Sequence, residues 1–418
     1  MQKLIIKGNK KLSGSINVSG SKNAALPILA ATILTDKPLT LKNIPLVQDV
    51  YTMINLLKFI GLDIKILKKK NTLNISNSKK LKTIAPYNLL KTMRAGVLVL
   101  GPLLVKYKKA KVSLPGGCAI GARPVNLHLF ALEKLGAKIK IKNGYIYASA
   151  KNGLKGNTIK FPSISVGATE NAILAAVGAK GKTIISNCAI EPEIQDMIFF
   201  LKKIGCNINF IGRRKILIIG IHNFRSASHK IIFDRIELGT YLIAGALTGK
   251  KIILNKINPE TVGTEIKIMK KMGVRMKVEK NRIIVIGSKK INSISIKTEA
   301  YPGFPTDLQA QIMVLMSRAS GTSKVKECIF ENRFMHVPEL RRMGANITTK
   351  NNIATITGPT NLSGAEVMAT DLRASVSLVL AALVADNRTI INRVYHLDRG
   401  YENLEKKLKK CKANINRI

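Results

Sequence analysis

The stretch "SLPGGCAIGARPVNLH", residues 113–128, places a thiol, a guanidinium group and a helix start close together. Glycines on both sides of Cys118 favour an irregular loop. A cysteine on such a loop, beside a cation such as Arg123, can act as an acid or as a nucleophile. Pro124 is typical of the first turn of a helix. We therefore interpret the segment as a reactive loop that leads into a helix.

The remaining cysteines and the histidines show no comparable pattern. A Cys–His nucleophile pair of Cys118 with His128 stays open as an alternative, although ten residues separate them. No CxxC pair, metal-ligand spacing of histidines, GxxxxGK[ST] loop or GxGxxG after a strand occurs. The sequence therefore predicts no metal, no cofactor and no disulfide framework. The remaining cysteines are interpreted as small buried side chains: Cys188, Cys206, Cys328 and Cys411.

Unusual residues recur at predicted helix starts. Helix N-termini expose N–H groups and carry partial positive charge, and guanidinium groups bind phosphate or carboxylate with paired hydrogen bonds. A cleft lined by such starts would suit anionic substrates. Taken singly, Asp307 and Asp371 are better explained as ordinary helix caps than as catalytic residues. The residues at the starts are Ser21, Lys22, Asn23, Arg94, Arg123, Ser165, Gly167, Glu191, Arg235, Asp307, Arg333, Arg373 and Arg399.

These helix starts belong to a sixfold repeat. A helix-end phrase such as "LLKFIGLDI" recurs with its glycine at 61, 136, 205, 273 and 344, and Lys412 takes that place in the sixth copy. The period is therefore about seventy residues. Glycine is the expected left-handed residue after a helix.

Each repeat predicts the order β-α-β-α-β-β, which indicates α/β units with mixed sheets. The first helices are apolar on all sides, as buried helices are. Six units are too many for one core. We therefore expect two domains of three repeats each.

Length and composition set broader limits. The chain has 418 residues, of which 46% are hydrophobic and 22% charged, as in a globular protein. Its apolar runs are shorter than the roughly 20 residues of a membrane-spanning helix, and no signal peptide is evident. The scattered cysteines favour a cytoplasmic location. We therefore expect no membrane span.

The net charge of +45 allows two explanations. Nucleic-acid binding is the functional one. Compositional drift towards Lys, Ile and Asn is the other, and it is favoured because the lysines are dispersed and aromatic residues make up only 5% of the chain. We therefore expect no nucleic-acid partner, and anionic small substrates account for a smaller part of the charge.

Seven motifs, in order along nearly the whole chain, resemble those of the enolpyruvyl transferases that act on UDP-N-acetylglucosamine. The resemblance implies two inside-out α/β barrels of three repeats each, with the active site in the cleft between them. It also implies that the first strand region joins the C-terminal domain, so that the domains are 20–229, and 1–19 together with 230–418. It implies transfer of the enolpyruvyl group of phosphoenolpyruvate to the 3′-hydroxyl of UDP-N-acetylglucosamine, the step that opens peptidoglycan synthesis. The motifs are "SGSKNAALPILAA", "PGGCAIGARPVNLH", "SVGATENAILAA", "FPTDLQAQ", "ENRFMHVPELRRMGA", "TDLRAS" and "DRGYENLE".

The resemblance also implies roles for individual residues. Cys118 would protonate phosphoenolpyruvate and Asp307 would act as the base. The phosphoenolpyruvate contacts would be Lys22, Asn23, Arg123 and Arg399. The UDP-sugar contacts would be Arg94, Arg123, Pro124, Val125, Asn126, Leu127, Ser163, Ile164, Ser165, Val166, Asp307 and Ile329. The supporting residues would be Arg333, Asp371 and Arg373.

Two positions depart from the family pattern. Ser163 stands where some members have a lysine that contacts the diphosphate, and Asn126 stands where many have an aspartate. Two other functions remain as alternatives. One is enolpyruvyl transfer to shikimate 3-phosphate, which would use the same fold without this cysteine loop. The other is RNA binding, which only the charge suggests. No obligate protein partner is evident.

Overall fold

The structure, a computed structural model, describes residues 2–77, 80–116, 125–288 and 290–418. Cys118, Arg123 and Pro124 lie outside these ranges. The described chain forms two compact units. One consists of described residues within Gly20–Ile232. The other joins the described part of Met1–Ser19 to that of Phe233–Ile418.

Within the described residues, short strands alternate with helices. The strands are β1 (Leu4–Lys7), β2 (Leu12–Asn17), β3 (Leu39–Lys42), β4 (Asp63–Leu67), β5 (Thr72–Ser76), β6 (Ile84–Ala85), β7 (Lys109–Ser113), β8 (Lys138–Lys142), β9 (Tyr145–Ser149), β10 (Thr158–Lys160), β11 (Lys182–Ser186), β12 (Asn207–Gly212), β13 (Lys215–Ile219), β14 (Ala227–Lys230), β15 (Gly249–Asn255), β16 (Arg275–Glu279), β17 (Arg282–Ile286), β18 (Ser295–Lys297), β19 (Gly321–Lys326), β20 (Asn346–Lys350), β21 (Ile353–Gly358), β22 (Glu366–Met368), β23 (Arg388–Asn392) and β24 (Asn414–Arg417).

The α-helices are α1 (Lys22–Ala31), α2 (Gln48–Ile60), α3 (Tyr87–Leu90), α4 (Leu100–Tyr107), α5 (Asn126–Lys134), α6 (Val166–Ala176), α7 (Pro192–Lys203), α8 (Arg235–Thr248), α9 (Gly263–Lys271), α10 (Gln309–Ser317), α11 (Val337–Arg342), α12 (Leu372–Val384), α13 (Tyr395–Asp398) and α14 (Leu404–Lys410). The 3-10 helices are Thr32–Leu34, Lys68–Lys70, Arg94–Val99, Pro259–Val262 and Thr306–Leu308.

The predicted repeat is confirmed most directly by residues 158–219. They form β10-α6-β11-α7-β12-β13, which is the predicted order β-α-β-α-β-β. In the sheet, β10 pairs parallel with β11, whereas β13 pairs antiparallel with both β11 and β12. The other five sheets have the same four-stranded arrangement.

Three repeats take a strand from elsewhere in the chain. β14 pairs parallel with β3 and supplies the first strand of the first repeat. β2 pairs parallel with β15 and does the same for the fourth repeat. β1 lies between β23 and β24 as the last strand of the sixth repeat. Each unit is thereby closed on itself by distant segments of the chain.

The apolar helices lie inside these sheets. In the unit that contains Phe233–Ile418, α8, α10 and α12 pack against one another, and nearly all of their residues are buried. In the unit within Gly20–Ile232, α1 and α6 are buried in the same way. Each unit has its own hydrophobic core. Helices inside and sheets outside make each unit an inside-out α/β barrel.

The glycine prediction is confirmed at all five repeats that have this glycine. The φ angles are +124° at Gly61, +91° at Gly136, +102° at Gly205, +86° at Gly273 and +92° at Gly344. In the sixth repeat Lys412 has a φ of +70°. The helix ends are therefore set by local backbone chemistry even where the glycine has been replaced.

Some helix starts differ in type from the prediction. The helix expected to begin near Arg94 starts as the 3-10 helix Arg94–Val99, and α4 begins at Leu100. Pro102 lies in the first turn of α4, where its missing N–H leaves no helical hydrogen bond unmade. Among the described residues no helix combines the length and apolar character needed to cross a membrane.

Candidate active site

Lys22 is held at the start of α1. Ser21 caps this helix, its hydroxyl accepting from the N–H of Ala24. The Lys22 ammonium lies 3.1 Å from a carboxylate oxygen of Asp49, and the two side chains are 12% and 7% exposed. Asn23 follows Lys22 and is half-buried. The fold thus fixes one cation at a helix N-terminus, where anions bind well.

The predicted UDP-sugar segment lies at the start of α6. The Ser165 hydroxyl caps the helix by accepting from the N–H of Ala168. Ser163 is exposed, Ile164 is half-buried and Val166 is 38% exposed. An accessible rim of hydroxyl and apolar groups fits recognition of a sugar or base better than of a bare phosphate.

The start of α5 holds the other predicted contacts of this unit. Val125 is buried, Asn126 is exposed and Leu127 is half-buried. Arg94, at the first position of its 3-10 helix, is also half-buried. These side chains therefore differ in how much of their surface a ligand could contact.

Asn171 connects the helices that carry these contacts, and it was not among the predicted site residues. Its side chain is fully buried. The amide oxygen accepts from the N–H of Gly101, and the amide nitrogen donates to the carbonyl of Val97. The same nitrogen lies 3.3 Å from Nδ1 of His128. One amide thus connects α4, α5 and α6.

A cluster of buried acidic side chains includes Glu170, which is part of α6. Glu170, Glu191 and Glu193 are all at most 6% exposed. Burial raises the pKa of Glu170 well above its ordinary value, and the charges of Glu193 and Glu191 raise it further. Of its three members, only Glu191 stood out in the sequence, at a predicted helix start.

Asp307 is the centre of the site residues in the other unit. Its two carboxylate oxygens accept separately, one from Arg333 at 2.9 Å and the other from Arg373 at 2.7 Å. Both arginine side chains are 6% exposed, whereas Asp307 is 26% exposed. The predicted base and two of the three supporting residues are thus brought together, and the carboxylate faces solvent more than its partners do.

A buried polar network holds the Arg373 side chain in place. Burial disfavours the charge of this side chain, but the Asp307 carboxylate, the Tyr401 oxygen and the Asp234 carboxylate together outweigh that effect and raise the pKa of Arg373. Its guanidinium donates to the Tyr401 hydroxyl at 3.3 Å, and that hydroxyl is 2.9 Å from Thr240. The guanidinium is therefore permanently charged and held in one orientation.

The third supporting residue, Asp371, acts as a helix cap. Its carboxylate accepts from the N–H groups of Arg373 and Ala374 at the start of α12. Arg399, a predicted phosphoenolpyruvate contact, is half-buried at the end of α13. Ile329, a predicted UDP-sugar contact, is 41% exposed.

The interpretation of the other cysteines needs one correction. Burial raises the pKa of Cys188 to about 11, of Cys206 to about 12 and of Cys411 to about 11, so these thiols stay protonated. Cys328 is exposed, not buried. It lies just after β19, where its N–H donates to the Thr298 hydroxyl and its thiol is left outside the core. Within the described ranges, no group of His, Cys, Asp or Glu is arranged to hold a metal ion.

Comparisons with known proteins agree with this architecture. The family described as EPSP synthase (3-phosphoshikimate 1-carboxyvinyltransferase) matches residues 6–408. The chain belongs to this family of enolpyruvyl transferases. As a member of the family it is a transferase.

Two curated relatives are similar to this enolpyruvyl transferase over their full length. Both are named UDP-N-acetylglucosamine 1-carboxyvinyltransferase. The protein of Pelagibacter ubique (strain HTCC1062) is 58% identical, with 100% of both chains covered. That of Endomicrobium trichonymphae is 52% identical, with 99% of both covered.

Solved structures show the fold. The enolpyruvyl transferase NikO from Streptomyces tendae has a TM-score of 0.91 at 23% identity, covering 100% of this chain and 98% of its own. EPSP synthase from Acinetobacter baumannii has a TM-score of 0.79 at 17% identity, covering 100% and 99%. The fold of this enolpyruvyl transferase is therefore the two-domain inside-out α/β fold.

Proposed function

We propose that this enolpyruvyl transferase transfers the 1-carboxyvinyl group of phosphoenolpyruvate to the 3′-hydroxyl of UDP-N-acetylglucosamine and releases phosphate. The carrying observation is the 58% identity over the full length to a relative named for that reaction. The proposal includes a cytoplasmic location and a place at the first committed step of peptidoglycan precursor synthesis. The substrates are small molecules, and neither a nucleic acid nor an obligate protein partner is required.

The first step is an addition. The sugar 3′-oxygen bonds to C2 of phosphoenolpyruvate, its proton passes to Asp307, and Cys118 delivers a proton to C3. Asp307 supports the role of base because it is an ionisable carboxylate that is 26% exposed, whereas its arginine partners are each 6% exposed, so a substrate hydroxyl can reach it more readily than it can reach them. The product of this step is a tetrahedral ketal that still carries phosphate.

The second step is an elimination. C3 returns a proton to the Cys118 thiolate that the addition left, the C2–O bond to phosphate breaks, and the enol ether remains on the sugar. Lys22, Asn23, Arg123 and Arg399 hold the carboxylate and phosphate. The charges of Lys22, Arg123 and Arg399 stabilise the anion that develops on the leaving oxygen, and Asn23 contributes a hydrogen bond. The paired Lys22, which is only 12% exposed, fits that task.

The UDP-sugar is assigned to the remaining residues of the proposed site. Arg94 and Arg123 supply charge for the diphosphate, and Ser163 supplies a hydroxyl where a lysine would supply a further charge. Asn126 accepts a hydrogen bond without charge. The other contacts are Pro124, Val125, Leu127, Ile164, Ser165, Val166 and Ile329.

Phosphate release from phosphoenolpyruvate tests the proposal. The purified chain is given UDP-N-acetylglucosamine, shikimate 3-phosphate or no acceptor, and the product is identified by mass. We expect release with the UDP-sugar alone. Shikimate 3-phosphate is the competing acceptor because the matching family description names it. Turnover confined to shikimate 3-phosphate would refute the proposal.

A further inference from the structure

Glu327, a buried carboxylate that no motif indicated, lies just after β19 and is 2% exposed. One of its oxygens accepts from the Thr298 hydroxyl at 2.8 Å and from the N–H groups of Ile329 and Phe330 at 2.8 and 3.2 Å. The other accepts from the Thr306 hydroxyl at 2.9 Å. Four neutral donors thus satisfy a charge that would otherwise be costly to bury.

These bonds connect the segments that define the surroundings of Asp307. Thr306 is the first residue of the 3-10 helix that carries Asp307. Ile329 and Phe330 begin the segment that leads to Arg333, and Arg333 donates back to Asp307 at 2.9 Å. The contacts therefore form a closed ring in which Glu327 fixes both the helix of the proposed base and the chain that delivers its arginine.

We infer that Glu327 is a positioning residue for Asp307, acting through the Thr306 hydroxyl, and that it also fixes the Ile329 segment. This inference rests on the function proposed above. Thr306 is the critical link because it is the only one of the four donors that lies in the helix of Asp307. Losing this bond frees the helix start while three of the four bonds to Glu327 remain. A base displaced by a fraction of an ångström loses rate, whereas the affinity for phosphoenolpyruvate, whose assigned contacts do not include Asp307, should change little.

The chain offers a matched control for this link. Thr306→Val and Thr298→Val each remove one hydroxyl donor to Glu327 at nearly constant volume. Thr298 is the more demanding structural loss, because its oxygen also accepts from the N–H of Cys328 at 2.9 Å and the residue is fully buried. Only Thr306 is joined directly to Asp307. Thr306→Ser keeps the hydroxyl and serves as the rescue variant.

Steady-state kinetics and thermal unfolding of the full chain separate positioning from stability. For Thr306→Val we expect kcat to fall about tenfold or more, with the KM for phosphoenolpyruvate within about twofold of wild type. Thr298→Val should lower Tm at least as much and keep kcat within about twofold, and Thr306→Ser should restore kcat. Equal kcat losses in the two valine variants, or an unchanged kcat in Thr306→Val, would overturn the inference. An inactive wild type would instead refute the proposed function.

Discussion

At the scale of single residues, Glu170 makes stability depend on pH. Its folded-state pKa is raised, first by burial and then by Glu193 and Glu191. The folded state therefore binds more protons than the unfolded state above the ordinary pKa of 4.5. The unfolding free energy should fall as pH rises from that value towards the raised pKa. The stabilising contribution of protonated Glu170 is fully present only below its ordinary pKa.

Glu170→Gln should remove that dependence because a neutral amide replaces the titrating group. We expect the difference in Tm between about pH 5 and pH 8 to shrink in this variant, with the gain in Tm at the higher pH. Glu133→Gln is the control, because Glu133 is exposed on α5. Identical pH profiles for the two variants would contradict the assignment.

The proposed acid gives a second residue-scale prediction. If Cys118 donates a proton, Cys118→Ser should be nearly inactive, because a serine hydroxyl is a far poorer acid at neutral pH. Cys118→Asp should keep substantial turnover if its pKa is raised when water is excluded. Phosphate release measures both variants. A fully active serine variant would show that the thiol is incidental, and an inactive aspartate variant would favour a covalent role for sulfur.

The sequence predicted the site residues at helix starts better than the buried residues that hold those helices in place. Asp307, Arg333 and Arg373 stood out because charged groups recurred at corresponding positions of the repeat, and the structure joins them. Asn171 and Glu327 did not stand out. Their roles depend on hydrogen bonds to segments that only the tertiary fold brings close.

At the scale of elements, the helix ends give a test of backbone strain. Lys412 has a φ of +70°, where a side chain costs about 1–2 kcal/mol. Gly136 has a φ of +91°, and an added Cβ would meet nothing within 4 Å, so only the backbone would resist it. Lys412→Gly should therefore stabilise by up to about 1 kcal/mol, and Gly136→Ala should destabilise by about that amount. Urea unfolding measures both. A destabilised Lys412→Gly would mean that contacts of the lysine stem outweigh the strain.

The repeat predicted the order of the elements but not every strand pairing. Periodicity along the chain predicted β-α-β-α-β-β and the buried first helices, and residues 158–219 follow that order. It could not predict that β14 completes the sheet of β3, or that β1 and β2 join strands more than 200 residues away. Strands of equivalent pattern are interchangeable until tertiary packing selects one.

At the scale of the whole molecule, the charge of +45 should show itself as salt-sensitive, unspecific attraction. Dispersed lysines contact phosphates without reading bases, so binding of a single-stranded RNA should weaken steeply with salt. We expect filter binding to be detectable at about 50 mM salt and lost by about 200 mM. Sub-micromolar, sequence-selective binding at physiological salt would instead support a nucleic-acid function.

The position of β1 between β23 and β24 has a consequence for synthesis on the ribosome. At roughly 5–20 residues per second, this strand leaves the ribosome tens of seconds before its partners exist. During that time "LIIK" is an unpaired edge that could join another nascent chain. Lys7 ends this strand and Lys10 and Lys11 follow it closely, and their charges repel a second copy. The other unit, whose strands all lie between residues 39 and 230, can fold earlier. β1 is therefore translated early but is among the last strands to join its sheet.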